Sequence, residues 1–134
     1  MLLLVLIASI ITTGTGKDKF LTVAEKSNYE STSRHADVMD FFKLLKKISP
    51  SFRIESMGKS TNGLEMPLII LAKPLPKSIN DIKKDKRIVV YLQANIHAGE
   101  VEGKEAVQML ARDILLKETP DYLKNVIILI APIF

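Results

Sequence analysis

The chain has 134 residues, 47% hydrophobic and 25% charged, which excludes a disordered polypeptide and suits one ordinary domain with its own core. Its net charge of +4 is dispersed among acids and accompanied by only 6% aromatics, without the basic patch and stacking rings of a nucleic-acid surface. The absence of cysteine rules out disulfides, thiolate catalysis and Cys-based zinc sites, so any metal must be held by Asp, Glu and the two histidines.

The first sixteen residues, MLLLVLIASIITTGTG, contain a run from Leu2 to Ile11 that is apolar except for Ser9. Such a run is too short to span a bilayer and has the length of a signal-peptide hydrophobic region. Gly14 and Gly16 offer the small residues that precede a cleavage site, leaving Lys17 as the mature start. The stretch has no Lys or Arg ahead of the apolar run, and a buried strand or helix is the competing reading. The expectation is export: a signal peptide over 1–16, one domain over 17–134, a secreted or periplasmic location, and no membrane association after cleavage.

Residues 17–30 read as a polar leading arm. In STSRHADVMDFFKLLKKIS, Val38, Phe41, Phe42, Leu45 and Ile48 fall at helical spacing, with Ser31, Thr32 or Ser33 available as N-cap, lysines in the last turn and Pro50 beyond. His35 lies at the start of this helix near Asp37 and Asp40, at no spacing that matches a metal motif, and is expected to be a surface histidine. FRIESMGKSTNGLEMPLIILAKP is two strand-like runs joined by a turn in which Asn62-Gly63 is expected to supply positive backbone angles, and Leu68 to Leu71 is apolar enough to be buried on both faces. Gly58-Lys59-Ser60 lacks the preceding glycine and the following helix of a phosphate loop. Pro74 to Arg87, with its mixed charges, reads as a solvated loop.

RIVVYLQANI, HAGE, VEGKEAVQMLARDILLK and VIILIAPIF follow in that order. Val107, Leu110, Ala111, Ile114 and Leu115 mark one apolar helix face. Two apolar strands flanking a helix predict a parallel pair, covered on both sides and joined by a right-handed crossover. The fold class is therefore α/β, with a mixed, partly parallel sheet and helices on both faces.

Ligands of such sheets gather at the carboxyl ends of strands, which is where His97 falls. Glu100 stands three residues on, across small Ala98 and Gly99. Zinc in hydrolytic sites takes three protein ligands from His and Asp or Glu and keeps one position for water. His97 and Glu100 form such a ligand pair, or else a polar turn in which Glu100 favours a helix N-terminus by roughly 0.3 to 1 kcal/mol. Glu102 and Glu105 are expected to be helix-surface acids.

In order along the chain, the early amphipathic helix, MGKSTNGLEMPLIILAKP, NIHAGEVEGKEA and NVIILIAPIF together resemble the N-terminal half of a zinc carboxypeptidase domain of the carboxypeptidase A-like family, over about residues 29 to 134. The resemblance implies Zn2+ as cofactor, His97 and Glu100 as two of its three ligands, and peptide or protein C-termini as substrate. Many members place arginine before the glutamate, where this chain has Gly99. The third ligand, a later histidine, the groups that grip a C-terminal carboxylate and the glutamate that serves as general base would all follow Phe134. The expectation is a partial domain with an exposed hydrophobic edge at VIILIAPIF and with little activity of its own. A zinc amidohydrolase that removes acyl groups and an inert binding module are the alternatives.

Overall fold

The computed structural model describes residues 18–116 and 121–134; the leader expected over 1–16 lies outside them. After a 3-10 turn at Asp18–Phe20 come α1 (Val23–Lys26), α2 (His35–Lys46), β1 (Phe52–Lys59), β2 (Glu65–Leu71), α3 (Ile79–Lys84), β3 (Ile88–Gln93), α4 (Val101–Leu116) and β4 (Val126–Ala131). The four strands form one sheet in the order β1-β2-β4-β3. β1 and β2 are antiparallel, β2 and β4 are antiparallel, and β3 and β4 are parallel.

Side chains alternate along the strands, so the sheet has two apolar faces. Ile69 and Leu71 of β2 with Ile128 and Ile130 of β4 face one way and bury Phe41, Phe42 and Leu45 of α2 and Val107, Ala111 and Ile114 of α4. Ile70 and Ile127 face the other way and meet Ile82 of α3. Helices thus lie on both faces of a mixed sheet, as the hydrophobic pattern predicts.

Four local expectations need correction. α2 begins at His35, later than Ser31–Ser33 would place it, and its first turn is closed by the Arg34 amide donating to the Asp37 carboxylate at 2.8 Å. The turn between β1 and β2 spans five residues, closed by Ser60 N–H to Leu64 O and Gly63 N–H to Ser60 O, both 2.8 Å; of Asn62 and Gly63 only Gly63 has positive φ, +77°. The stretch from Pro74 to Arg87 contains a helix, because Ser78 accepts from the Asp81 amide at 3.2 Å and Ile82 has an apolar sheet face to cover. Arg87 is not a solvated loop charge: it grips Asp85 through two nitrogens at 3.0 and 2.7 Å and donates to the carbonyl of Pro74 at 3.0 Å.

β4, rather than ending the sheet, runs between β2 and β3, with Ile127, Ile130 and Ala131 fully buried. The exposed edge is β3. It has only β4 beside it, and Ile88 is 68% and Tyr91 49% exposed. The expected parallel pair is present, but it is covered on β4 alone.

α4 also departs from its expected apolar stripe. Leu110 is exposed, whereas Lys104, Glu105, Gln108 and Arg112 are buried. These four hold the leading arm. Lys104 Nζ donates to Ser33 O at 2.5 Å and Gln108 Nε2 to Ser33 Oγ at 3.3 Å. Glu105 accepts from Thr32 Oγ1 at 2.8 Å and from the Ser33 amide at 2.6 Å. Burial pushes the Glu105 carboxyl up, but the bonds from Ser33, Thr32 and Thr22 outweigh it and hold the group below its usual value. Arg112 pairs with Glu25 and Asp113 and donates to Phe20 O at 3.2 Å.

Removing Arg112 leaves Glu25 and the Phe20 carbonyl short of a buried donor. Arg112→Ala is expected to cost about 3 kcal/mol in urea unfolding and to speed tryptic cleavage at Lys26. An unchanged midpoint would show that the arm is not held this way.

The side-chain and backbone bonds of Arg87 lower Asp85 to about 2 from 3.8. A carboxyl depressed on folding stabilises above its unfolded value and loses that contribution as pH falls through the folded one. The stability difference between the native chain and Asp85→Asn is therefore expected to be constant above pH about 4 and to shrink between about 4 and 2. Denaturant midpoints across that range measure it.

Candidate metal centre

The turn that carries His97 and Glu100 is set by what precedes it. Ala94 continues the parallel ladder one residue past β3, its amide donating to Ala131 O at 2.9 Å. Asn95 then takes a left-handed conformation, φ +55°, which turns the chain out of the sheet. The Glu100 amide donates back to His97 O at 3.0 Å, so the two candidate ligands are the first and last residues of one tight turn. Asn95 Nδ2 donates to the same His97 carbonyl at 3.0 Å and approaches Glu100 O at 3.5 Å. α4 starts at Val101, immediately after Glu100.

Two glycines shape this corner differently. A Cβ on Gly103 would lie 3.3 Å from Ala94 Cβ, so the first turn of α4 rests against the end of β3 only because both residues are small. A Cβ on Gly99 would meet nothing within 4 Å. The missing side chain at that position is therefore not imposed by crowding.

His97 and Glu100 are both exposed, and among the described residues neither imidazole nor carboxylate is engaged in a hydrogen bond or ion pair. An imidazole and a carboxylate are donors that zinc accepts, and here they are not spent on the protein. By type both are zinc donors, but the described residues contain no group of three or more His, Asp or Glu placed to hold a metal.

His35 is elsewhere engaged. Half-buried rather than a simple surface residue, it places Nε2 2.7 Å from Glu65 O and ties the start of α2 to β2. It also lines a hollow of about 260 Å³ with Leu64, Met66, Ile96, Ile133 and Phe134, beside the turn. Glu102 is exposed, as expected; Glu105 is not, being turned toward Thr32 and Ser33. Sequence reasoning missed Asn95 and Gly103. The signals were an asparagine directly after an apolar strand and a glycine one turn inside a helix.

The fold is thus a mixed α/β sheet with the turn bearing His97 and Glu100 outside the carboxyl end of a parallel strand, the place where ligands of open α/β sheets gather. The chain belongs to the zinc carboxypeptidase family, whose model matches residues 38–134. No curated protein sequence matches it.

Among solved structures, the chain is similar to bovine thrombin-activatable fibrinolysis inhibitor in complex with tick carboxypeptidase inhibitor, at 13% identity and a TM-score of 0.63 over 79% of this chain and 32% of that one. It is similar to carboxypeptidase A from Helicoverpa armigera at 18% identity and a TM-score of 0.61, over 87% of this chain and 30% of that one. A metallo-carboxypeptidase from Burkholderia cenocepacia follows at 17% identity and a TM-score of 0.60, over 76% and 27%. At such identities the likeness is one of fold. The chain spans a third or less of the length of these proteins.

Gly103→Val is expected to push α4 away from Ala94 and to cost about 1 to 3 kcal/mol of stability. Gly103→Ala should come close to neutral, because the contact at 3.3 Å is offset by alanine's better helix propensity, about 1 kcal/mol. Chemical denaturation of the two variants separates a steric requirement from a helix effect, and equal midpoints would exclude the former.

Proposed function

We propose that these residues are the N-terminal, metal-binding portion of a metallocarboxypeptidase that cleaves C-terminal peptide bonds, with His97 and Glu100 as two of its zinc ligands. The observation that carries this reading is their position at the two ends of one closed turn, at the carboxyl end of a parallel strand, inside the segment that matches the zinc carboxypeptidase family. Zinc held there would supply Lewis acidity toward a peptide carbonyl and toward water. The chain's own part is to present one imidazole and one carboxylate, with the connecting backbone fixed by hydrogen bonds to His97 O. The third ligand and the general base are proposed to come from outside the described residues, which offer no three-donor group. On that reading the 134-residue chain alone hydrolyses little. Export through the apolar segment at 1–16 belongs to the same proposal and places the substrates outside the cytoplasm.

A deacylase acting on an acylated amino acid is a second reading that Gly99 leaves open. Where many members of the family carry an arginine that helps bind substrate, this chain has none, although the space around Gly99 is open.

Removing a direct ligand should cost at least the roughly 10- to 100-fold in metal affinity that the loss of outer partners costs. His97→Ala and Glu100→Gln are each expected to lower Zn2+ affinity by that much in competition with a chromophoric chelator, with circular dichroism unchanged. Zinc binding indifferent to both substitutions would refute the assignment.

A further inference from the structure

Among the described residues, the Asn95 side chain reaches both candidate ligand residues without being a ligand type itself. Its Nδ2 lies 3.0 Å from His97 O and 3.5 Å from Glu100 O. The His97 carbonyl also accepts the Glu100 amide at 3.0 Å, so one oxygen gathers the side chain before the turn and the backbone at its end. Upstream, Ala94 is fixed by its ladder bond to Ala131 O at 2.9 Å and lies so near Gly103 that a Cβ there would come within 3.3 Å of its own. Asn95 is thus the joint between a rigid strand end and the turn. Its φ of +55° lies in the region that asparagine enters more readily than other side-chain-bearing residues.

We infer that Asn95 is the positioning residue of the turn that carries the candidate ligands: its left-handed backbone aims the turn and its amide holds the His97 carbonyl and approaches that of Glu100, so that the backbone bearing both donors is set before metal arrives. This rests on the reading of His97 and Glu100 as ligands. Two properties are combined at one residue, and substitution separates them. Glycine keeps the left-handed backbone and loses the amide; alanine loses both. A residue that merely supported the fold would respond through global stability, whereas a positioning residue alters metal affinity and the local order of the turn while the unfolding midpoint stays in place.

The test uses the 134-residue chain with Zn2+ and, as a spectroscopic reporter, Co2+. Wild type, Asn95→Gly, Asn95→Ala and His97→Ala are compared in metal affinity, Co2+ ligand-field absorption, urea midpoint and hydrogen exchange of the Glu100 amide. Asn95→Gly is expected to bind Zn2+ about 10-fold more weakly and Asn95→Ala up to about 100-fold, the range for lost outer partners of metal ligands. The Glu100 amide should exchange severalfold faster in both, with Asn95→Gly intermediate in affinity and in exchange. Zn2+ affinity within about twofold of wild type in both Asn95 variants, with His97→Ala still abolishing uptake, overturns the positioning role and leaves the ligand assignment standing. Uptake that does not depend on His97 removes the ligand assignment, and the inference with it. A loss of affinity in Asn95→Ala matched by an equal fall in urea midpoint, and absent in Asn95→Gly, also overturns it, because the effect is then one of folding.

Discussion

The parallel pairing of β3 with β4 is the constraint on which the rest of this structure depends. Two parallel neighbours cannot be joined by a tight turn, so the chain must leave β3 at its carboxyl end, cross the sheet as α4 and return to begin β4 at the opposite end. The exit from β3 is the turn from Asn95 to Glu100, and the ladder from Ile88↔Val126 to Gln93↔Ala131 fixes where that exit lies. The pairing is held by burial. Ile127 and Ile130 of β4 are fully removed from water, each contributing roughly 1.5 to 3 kcal/mol, one on each face of the sheet. The turn is therefore built on the best-buried strand of the molecule through that strand's partner.

α4 has to satisfy two neighbours at once. One side lays Val107, Ala111 and Ile114 on the sheet beside α2, a contact driven by apolar area and tolerant of small slips. The other presents Lys104, Glu105, Gln108 and Arg112 to the segment between Phe20 and Ser33, where each side chain has at least one specific partner, although Glu105 Oε2 and Gln108 Oε1 are buried without one. Buried polar contacts add little net stability but penalise every register in which they are unmade. The axial position of α4, and with it the placement of Glu100 just ahead of its first turn, is set more by this polar seam than by the apolar one.

Element types and the strand-helix-strand unit were legible because hydrophobic period reports burial directly: the Val38, Phe41, Phe42 and Leu45 face and the β2 and β4 runs all lie in the core. What was not legible depended on partners distant in sequence. Ser33 reads as a cap for the helix that follows it, yet its backbone and hydroxyl are taken by α4, more than seventy residues away, so α2 starts later. Glu105 reads as a surface acid because period alone cannot show that a polar arm will lie across its helix. Strand order is the same kind of problem. β3 and β4 are equally apolar as strings, and only the antiparallel pairing of β2 with β4 puts one inside the sheet and the other at its edge. At the candidate site the histidine and glutamate were singled out by spacing together with the resemblance of the segments around them, whereas the asparagine before them was not, because its place comes from a backbone angle and two carbonyl contacts.

The exposure of the donors and the exposure of the edge strand have one physical origin. β3 leaves Ile88, Val89, Val90 and Tyr91 partly in water, and Ile96, beside His97, is 53% exposed. An uncovered apolar strand with unpaired backbone on one side is a template for further pairing and a liability in isolation. The donors at its carboxyl end share that condition. The backbone that carries them is held by hydrogen bonds within the turn to His97 O, while their side chains have no partner among the described residues. A layer that covered β3 would take four apolar side chains out of water and lie next to the turn, lowering the local dielectric around one imidazole and one carboxylate and strengthening their hold on a cation. On the proposed ligand assignment, metal affinity would thus depend on burial of the β3 edge, even though no apolar residue of that edge is itself a donor.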